Sequence, residues 1–168
     1  MRCGPAARPL HSAGVMTDLP RRHVLGFLLA SGALAACKQG DGSQGALSRQ
    51  RLIAPATVAA KLARGEKPVI FYVGPNALYR RGHLPGAKNL GEAGSDTGIA
   101  ALRTELEKLP AGTEAIVYCG CCAVAVCPNV RPADAVLAKS GRTNVWLLDL
   151  PTNLQTDWTD AGHPVEKG

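Results

Sequence analysis

The chain contains the stretch Ile116-Val-Tyr-Cys119-Gly-Cys121-Cys122, in which an apolar run ends in a cysteine-rich loop that extends to Cys127. The apolar run is typical of a buried β-strand, and the segment after the loop is typical of a helix. A thiol between the end of a strand and a helix N-terminus has a lowered pKa, because the helix dipole and free backbone N–H groups stabilise the thiolate. The stretch therefore predicts a reactive thiolate at Cys119. The alternative is that the four cysteines form structural disulfides or a metal site.

Short apolar segments alternate with segments of helical periodicity in the second part of the chain. Strands are predicted at 68–73, 115–118 and 144–148, and helices at 55–64, 77–81, 99–109, 132–140 and 153–161. Apolar strands separated by helices favour a parallel α/β sheet, because helices cover both faces of such a sheet. Ligands bind these sheets at the carboxyl ends of the strands, where Cys119 is predicted to lie.

The N-terminal part of the chain resembles a bacterial export signal. Arg21 and Arg22 precede an apolar run over 24–36 that is too short to span a bilayer, and the arginine pair also resembles a twin-arginine signal. The run ends in Leu34-Ala-Ala-Cys37, which resembles the lipobox of bacterial lipoproteins. This resemblance implies that Cys37 is lipidated and becomes the first mature residue. The alternative is an ordinary signal peptide or membrane anchor.

These features divide the chain into four parts. Residues 1–15 are predicted to precede the true start at Met16, residues 16–36 to form the signal peptide, residues 37–50 to be the lipidated cysteine with a flexible tether, and residues 51–168 to be one folded domain. We therefore expect an exported lipoprotein that is anchored to the membrane and faces the periplasm.

The chain is basic, with a formal net charge of +6. Part of this excess lies in or beside the segments expected to be removed, at Arg2, Arg8, Arg21, Arg22 and Lys38. The remaining basic residues are scattered, and only 4% of the chain is aromatic, which leaves few rings to stack on bases. Nucleic acid is therefore not an expected partner.

The segment Gly82-His-Leu-Pro-Gly-Ala87 resembles the GHIPGA segment of rhodanese-like domains. Its spacing to Cys119 is also similar to that family, as is a tail that contains Trp158 and Gly-His-Pro-Val at 162–165. The resemblance covers about residues 52–166 and implies a three-layer α/β domain, with a central parallel five-stranded sheet flanked by helices. Within this segment, His83 is expected to hold the turn by hydrogen bonds rather than to act in catalysis.

In rhodanese-like enzymes, a cysteine follows the strand that corresponds to the apolar run before Cys119. This cysteine takes a sulfane sulfur from a donor such as thiosulfate and passes it, as a persulfide, to an acceptor. The resemblance implies that Cys119 is this nucleophile and that Arg131, with the loop backbone, binds the anion. The implied partners are a small sulfur-containing donor and a thiol acceptor, without a cofactor. The predicted function is sulfur transfer, or related thiol redox chemistry, at Cys119.

The chain departs from the usual rhodanese pattern in three places. The loop from Cys119 to Arg131 is much longer than usual and contains additional cysteines. Tyr72 stands where the family has an aspartate near the end of the first strand, and Asp149-Leu-Pro151 replaces a Gly-Gly pair after the last strand.

The additional loop cysteines, Cys121, Cys122 and Cys127, have three interpretations. An exported domain enters an oxidising compartment, so Cys127 can form a disulfide with Cys121 or Cys122. A neighbouring thiol can instead resolve a persulfide or sulfenate on Cys119. Finally, the three thiolates can join Cys119 in a site for Zn(II) or Cu(I). The last interpretation defines the alternative function, a non-catalytic module that binds a soft metal or a protein partner.

Overall fold

A parallel sheet of five strands forms the centre of the part of the chain that the computed structural model describes, residues 47–168. In chain order the strands are β1 (Leu52–Ile53), β2 (Val69–Tyr72), β3 (Lys88–Asn89), β4 (Ala115–Tyr118) and β5 (Val145–Leu148). Their order across the sheet is β1-β5-β4-β2-β3, and every pair of neighbours is parallel. The predicted five-stranded α/β fold is confirmed, and β4, which leads to Cys119, is its central strand.

Four α-helices connect these strands within the described residues: α1 (Pro55–Ala63), α2 (Asn76–Arg81), α3 (Asp96–Lys108) and α4 (Val130–Lys139). The Ser95 side chain accepts a hydrogen bond of 3.1 Å from the Gly98 N–H group and caps α3. Helix α4 begins two residues before the predicted Pro132. Proline is tolerated there because the first turn of a helix has no carbonyl partner for its N–H groups. The predicted last helix is a single π-helical turn, Gln155–Thr159.

Alternate side chains of the central strand enter two separate cores. Ala115, Val117 and Cys119 pack on one face with α3 and α4, which contribute the buried Leu102 and Leu137. Ile116 and Tyr118 pack on the other face with α1, α2 and the buried Trp158. Fully burying a leucine side chain contributes about 1.5–3 kcal/mol, so both layers hold β4 firmly in place.

His83 has the structural role that the sequence predicts. The residue is 5% exposed, and its ring stacks on Tyr79 with centroids 3.8 Å apart. His83 Nδ1 lies 2.8 Å from the Tyr79 carbonyl oxygen, and the backbones of His83 and Glu166 exchange two hydrogen bonds of 2.9 Å. These contacts hold the turn against the C-terminal segment.

The predicted start site, export signal, Cys37 and most of the tether lie outside the described residues, so those assignments remain predictions. Between residues 47 and 168, no helix is both long enough and apolar enough to cross a membrane.

Candidate active site

Cys119 lies at the carboxyl end of β4, where the chain turns sharply out of the sheet. Gly120 has a φ of 81°, a left-handed conformation that glycine adopts without strain. A Cβ atom added to Gly120 would lie 2.9 Å from Leu154 Cβ, so the turn has no room for a side chain. Cys119 itself is only 1% exposed. Its sulfur is therefore held by the fold and is nearly closed to bulk water.

The four loop cysteines are brought together as free thiols. Cys121 is the centre of this thiol cluster, because its Sγ lies 3.2 Å from Sγ of Cys119, 3.2 Å from that of Cys122 and 3.6 Å from that of Cys127. The Sγ atoms of Cys119, Cys121 and Cys127 all lie within 4.8 Å of one another. The sequence places these cysteines on one loop, and the structure brings their sulfur atoms into contact.

Asn129 is a site residue that the sequence analysis did not identify. Its side chain is almost fully buried, and its Oδ1 accepts a hydrogen bond of 2.8 Å from the Gly94 N–H group. That bond orients the amide so that Nδ2 faces Cys119 Sγ at 3.3 Å. A polar residue just before a helix was the available signal in the sequence, but only the fold shows that it reaches Cys119.

The pKa values of the thiols differ from the expectation of a lowered pKa at Cys119. Hydrogen bonding to Cys127, together with burial, raises the pKa of Cys119. The hydrogen bond from Cys119, supported by the backbone N–H groups of Asn129 and Val130, lowers the pKa of Cys127 to about 5. The physical reason is position, since Cys127 lies three residues before the start of α4 and receives N–H groups from the helix N-terminus, at Asn129 and Val130. The negative charge of the thiol cluster is therefore centred on Cys127.

Cys122 lies at the edge of the thiol cluster. Burial and a hydrogen bond with Cys121 raise the pKa of Cys122 to about 12, so this thiol is protonated at neutral pH. Its Sγ is not in the group of three that lie within 4.8 Å of one another. Cys122 therefore differs chemically from the other loop cysteines.

Gly74 and Tyr72 pack closely against Cys119. A Cβ atom added to Gly74 would lie 2.7 Å from Cys119 Sγ and 2.7 Å from the Tyr72 hydroxyl oxygen, so only glycine fits there. The Tyr72 hydroxyl donates a hydrogen bond of 3.0 Å to the Pro75 carbonyl oxygen. Burial and nearby thiol charge raise the pKa of Tyr72 well above its usual value, so the hydroxyl stays protonated.

A cleft of about 550 Å³ opens above Cys119. Arg81 and Lys167, both exposed, supply positive charge to its wall. Other parts of the wall are formed by Tyr72, Leu78, Gly120, Leu154 and Val165. Cys119 is itself one of the lining residues, and an anion in the cleft is attracted by the two cations.

Arg131, the predicted anion-binding residue, lies in the first turn of α4. Its Nη2 donates a hydrogen bond of 3.1 Å to the Ala125 carbonyl oxygen, which ties the cysteine loop to the helix. The described residues that line the cleft include Arg81 and Lys167 but not Arg131. A role for Arg131 in binding a donor remains a prediction.

The model of the rhodanese-like domain family matches residues 54–150, more than half of the chain. The chain belongs to the rhodanese-like domain family. Its loop carries four cysteines where the strand ends, and Cys119 occupies the position after the central strand.

Several solved structures resemble the chain. The thiosulfate sulfurtransferase from Pseudomonas aeruginosa is 27% identical, with a TM-score of 0.51 and alignment over 73% of this chain. The chain spans only 20% of the length of that protein. The BH2092 protein from Bacillus halodurans is 18% identical, with a TM-score of 0.53, over 70% of this chain and 77% of that protein. The Alr3790 protein from Anabaena sp. is 17% identical, with a TM-score of 0.51, over 69% of this chain and 82% of that protein. The last two show the fold alone. None of the curated proteins matches the sequence of this chain.

Proposed function

We propose that this rhodanese-like domain transfers sulfane sulfur and that Cys119 carries the sulfur as a persulfide. The observation that supports this proposal most directly is the set of N–H groups that face Cys119 Sγ. Cys119 is among the residues that line the cleft, and its sulfur receives N–H groups from the Asn129 side chain at 3.3 Å and from the Cys121 backbone. Fixed N–H donors that converge on one atom stabilise negative charge there without reorganisation.

The proposed transfer is a displacement at sulfur. The Cys119 thiolate attacks the outer sulfur of an anionic donor of the thiosulfate type, and a new S–S bond forms. The bond between that sulfur and the sulfonate group breaks, and sulfite leaves with the electron pair. Cys119 is then a persulfide anion. An acceptor thiolate attacks the outer sulfur in turn, becomes a persulfide and leaves Cys119 as a thiolate.

Cys127 supplies the base in this proposal. The Sγ atoms of Cys119 and Cys127 lie within 4.8 Å of each other, and the lowered pKa of Cys127 means that the pair holds one negative charge at neutral pH. Such a pair titrates as a unit, and in this proposal the Cys119 proton passes to Cys127 as Cys119 attacks. The first step is therefore assisted by a base inside the same buried thiol cluster.

The cleft charge supports an anionic donor. Arg81 and Lys167 lie on the wall above Cys119, where they reduce the repulsion between a thiosulfate dianion and the thiol cluster. The cleft volume of about 550 Å³ exceeds the needs of so small an ion and leaves room for the organic part of a thiol acceptor.

A second candidate activity, persulfide resolution, is favoured by the position of Cys121. Its Sγ is 3.2 Å from Cys119 Sγ, within reach of a persulfide formed there. In this reaction the Cys121 thiolate attacks Cys119 Sγ, a Cys119–Cys121 disulfide forms, and hydrosulfide leaves with the outer sulfur. A Cys121→Ser variant distinguishes the two activities, because it keeps the persulfide and releases no hydrosulfide.

The test is the intact mass of the reduced protein before and after incubation with thiosulfate, followed by peptide mapping. We expect a gain of one sulfur atom on Cys119, which cyanide removes as thiocyanate. A Cys119→Ser variant is expected to gain nothing, and a Cys122→Ser variant to gain the sulfur normally. Sulfur on another cysteine of the loop, or no gain with any sulfane donor, would contradict the proposal.

We also infer that the domain is exported and tethered through a lipid on Cys37. The support is the sequence between Met16 and Cys37, with its paired arginines, apolar run and Leu-Ala-Ala-Cys ending. Mass spectrometry of the membrane fraction is expected to find a mature chain that begins at a lipidated Cys37. A Cys37→Ser variant is expected to lose the lipid. An unmodified Cys37 within an uncleaved chain would contradict this inference.

A further inference from the structure

We propose that Cys119, Cys121 and Cys127 form a three-sulfur site for one Cu(I) ion. This site is a second use of the thiol cluster, and it does not require that the domain transfer sulfur. The three Sγ atoms lie within 4.8 Å of one another, with Cys121 at 3.2 Å from Cys119 and 3.6 Å from Cys127. Metal–thiolate bonds of about 2.3 Å place the sulfurs of a trigonal site about 4 Å apart. Side-chain shifts of well under the length of one bond therefore convert the free cluster into a metal site.

The ligand set selects a soft ion. The three donors that converge are all sulfur, and soft thiolates favour Cu(I) and Zn(II) over hard cations such as Mg²⁺ or Ca²⁺. Structural zinc takes four ligands in a tetrahedron. Among the residues that the structure describes, the group that converges contains three ligand atoms, and the Cys122 sulfur is outside it. Cu(I) is stable with three thiolates, so this geometry favours copper.

The protein surroundings balance the charge of such a site. Three thiolates and one Cu(I) ion together carry two negative charges. N–H donors face the sulfurs, from the Asn129 side chain and the Cys121 backbone on Cys119 and from the Asn129 and Val130 backbones on Cys127. Donors of this kind orient metal ligands and stabilise their charge. Cys119 is 1% exposed and Cys127 is fully buried, so the ion is shielded from water.

Copper and the donor compete for the same sulfur. Cys119 belongs both to the proposed copper site and to the proposed persulfide site, and one sulfur cannot serve both at once. Bound Cu(I) is therefore expected to block persulfide formation. This competition depends on the sulfur-transfer proposal, whereas copper binding itself is measured without any sulfur donor.

The test is an anaerobic titration of the full chain with Cu(I) against bicinchoninate, a chromophoric competitor. Cys3 and Cys37 are replaced by serine throughout, so that only the loop thiols remain. We expect one Cu(I) per chain and three sulfur neighbours in copper X-ray absorption. Cys121→Ser and Cys127→Ser are each expected to weaken Cu(I) affinity by at least about 10-fold. Cys122→Ser is the matched control and is expected to keep both the stoichiometry and the affinity.

Three results would overturn the copper site. One is that bicinchoninate strips all copper from the protein at equal concentration. Another is that a variant lacking Cys119, Cys121 and Cys127 together still retains copper. The third is a four-sulfur shell that Cys122→Ser destroys, which would assign a tetrahedral site instead. The X-ray absorption measurement uses the protein with all four loop cysteines. It therefore still tests the copper site if one of the loop variants fails to fold.

Discussion

The Asn129 side chain donates a hydrogen bond of 3.3 Å from Nδ2 to Cys119 Sγ. Its Oδ1 accepts a hydrogen bond of 2.8 Å from the Gly94 N–H group, so the side chain connects two parts of the fold. The second bond determines the orientation of the amide, and the orientation makes Asn129 a donor to the sulfur. Negative charge on Cys119 is therefore stabilised by the residue just before α4, which is itself held by the segment before α3.

Replacing Asn129 by aspartate tests this donor. In Asn129→Asp the bond from Gly94 is retained, but a carboxylate oxygen faces Cys119 Sγ in place of the amide N–H group. We expect persulfide formation from thiosulfate to slow by about 100-fold, the order of magnitude for loss of one fixed donor to a developing anion. The rate is measured from intact mass after timed quenching. Asn76→Asp, the same change at an exposed site, is the control; an unchanged rate in Asn129→Asp would show that the amide has no catalytic role.

Ultraviolet absorbance of thiolates tests the assignment of the charge to Cys127. A thiol with a lowered pKa is a thiolate above that pKa and is protonated below it. With the pKa of Cys127 near 5, thiolate absorbance is expected to be present at neutral pH and to disappear as the pH falls through about 5. Cys127→Ser is expected to lose this step, because the thiol whose pKa is lowered has been removed.

Cys122→Ser is the control for this titration, because the pKa of Cys122 is raised to about 12 and its loss removes no charge near pH 5. The acidic step is expected to persist in that variant. If it persists in Cys127→Ser as well, the charge belongs to another thiol.

Gly74→Ala tests the close contact beneath the sulfur. The added Cβ would lie 2.7 Å from both Cys119 Sγ and the Tyr72 hydroxyl oxygen, and both groups are buried. Overpacking of this kind costs about 1–3 kcal/mol, so the free energy of unfolding measured with urea is expected to fall by that amount. Gly82→Ala is the control, because its Cβ would meet only Val165 Cβ, at 4.0 Å. Equal stability of the two variants would contradict the contact.

Removing the cations of the cleft tests whether they attract the donor. Arg81→Gln and Lys167→Gln are each expected to raise KM for thiosulfate by up to about 5-fold, because exposed charges contribute at most about 1 kcal/mol. The change in kcat is expected to be small, because both charges are on exposed side chains of the cleft wall, whereas Cys119 and Cys127 are buried. Salt is expected to reduce the difference between wild type and variants. Arg80→Gln, an exposed neighbour outside the cleft wall, is the control, and a KM that rises equally there would assign the effect to net charge.

The predicted strands agree best with the observed ones where several consecutive residues follow one pattern. The runs around β2, β4 and β5 are apolar throughout, so their strands were predicted within two residues of their ends. Strands β1 (Leu52–Ile53) and β3 (Lys88–Asn89) have two residues each, too few to show a period. They are strands because β5 and β2 offer unpaired edges to them. The five-stranded sheet was predicted through the family resemblance rather than through strand patterns.

The sequence by itself determined the fold class, the family and the place of Cys119, because local apolar patterns and the Gly82–Ala87 segment depend on nearby residues in the chain. Only the tertiary structure decided which thiol carries the charge, since this depends on N–H groups that reach Cys127 and Cys119 from α4 and the loop. The same holds for Asn129, which is 10 residues from Cys119 and 35 from Gly94 along the chain. Hydrogen bonds and charge interactions act over a few ångströms in space, and no pattern along the chain records which distant atoms the fold brings that close.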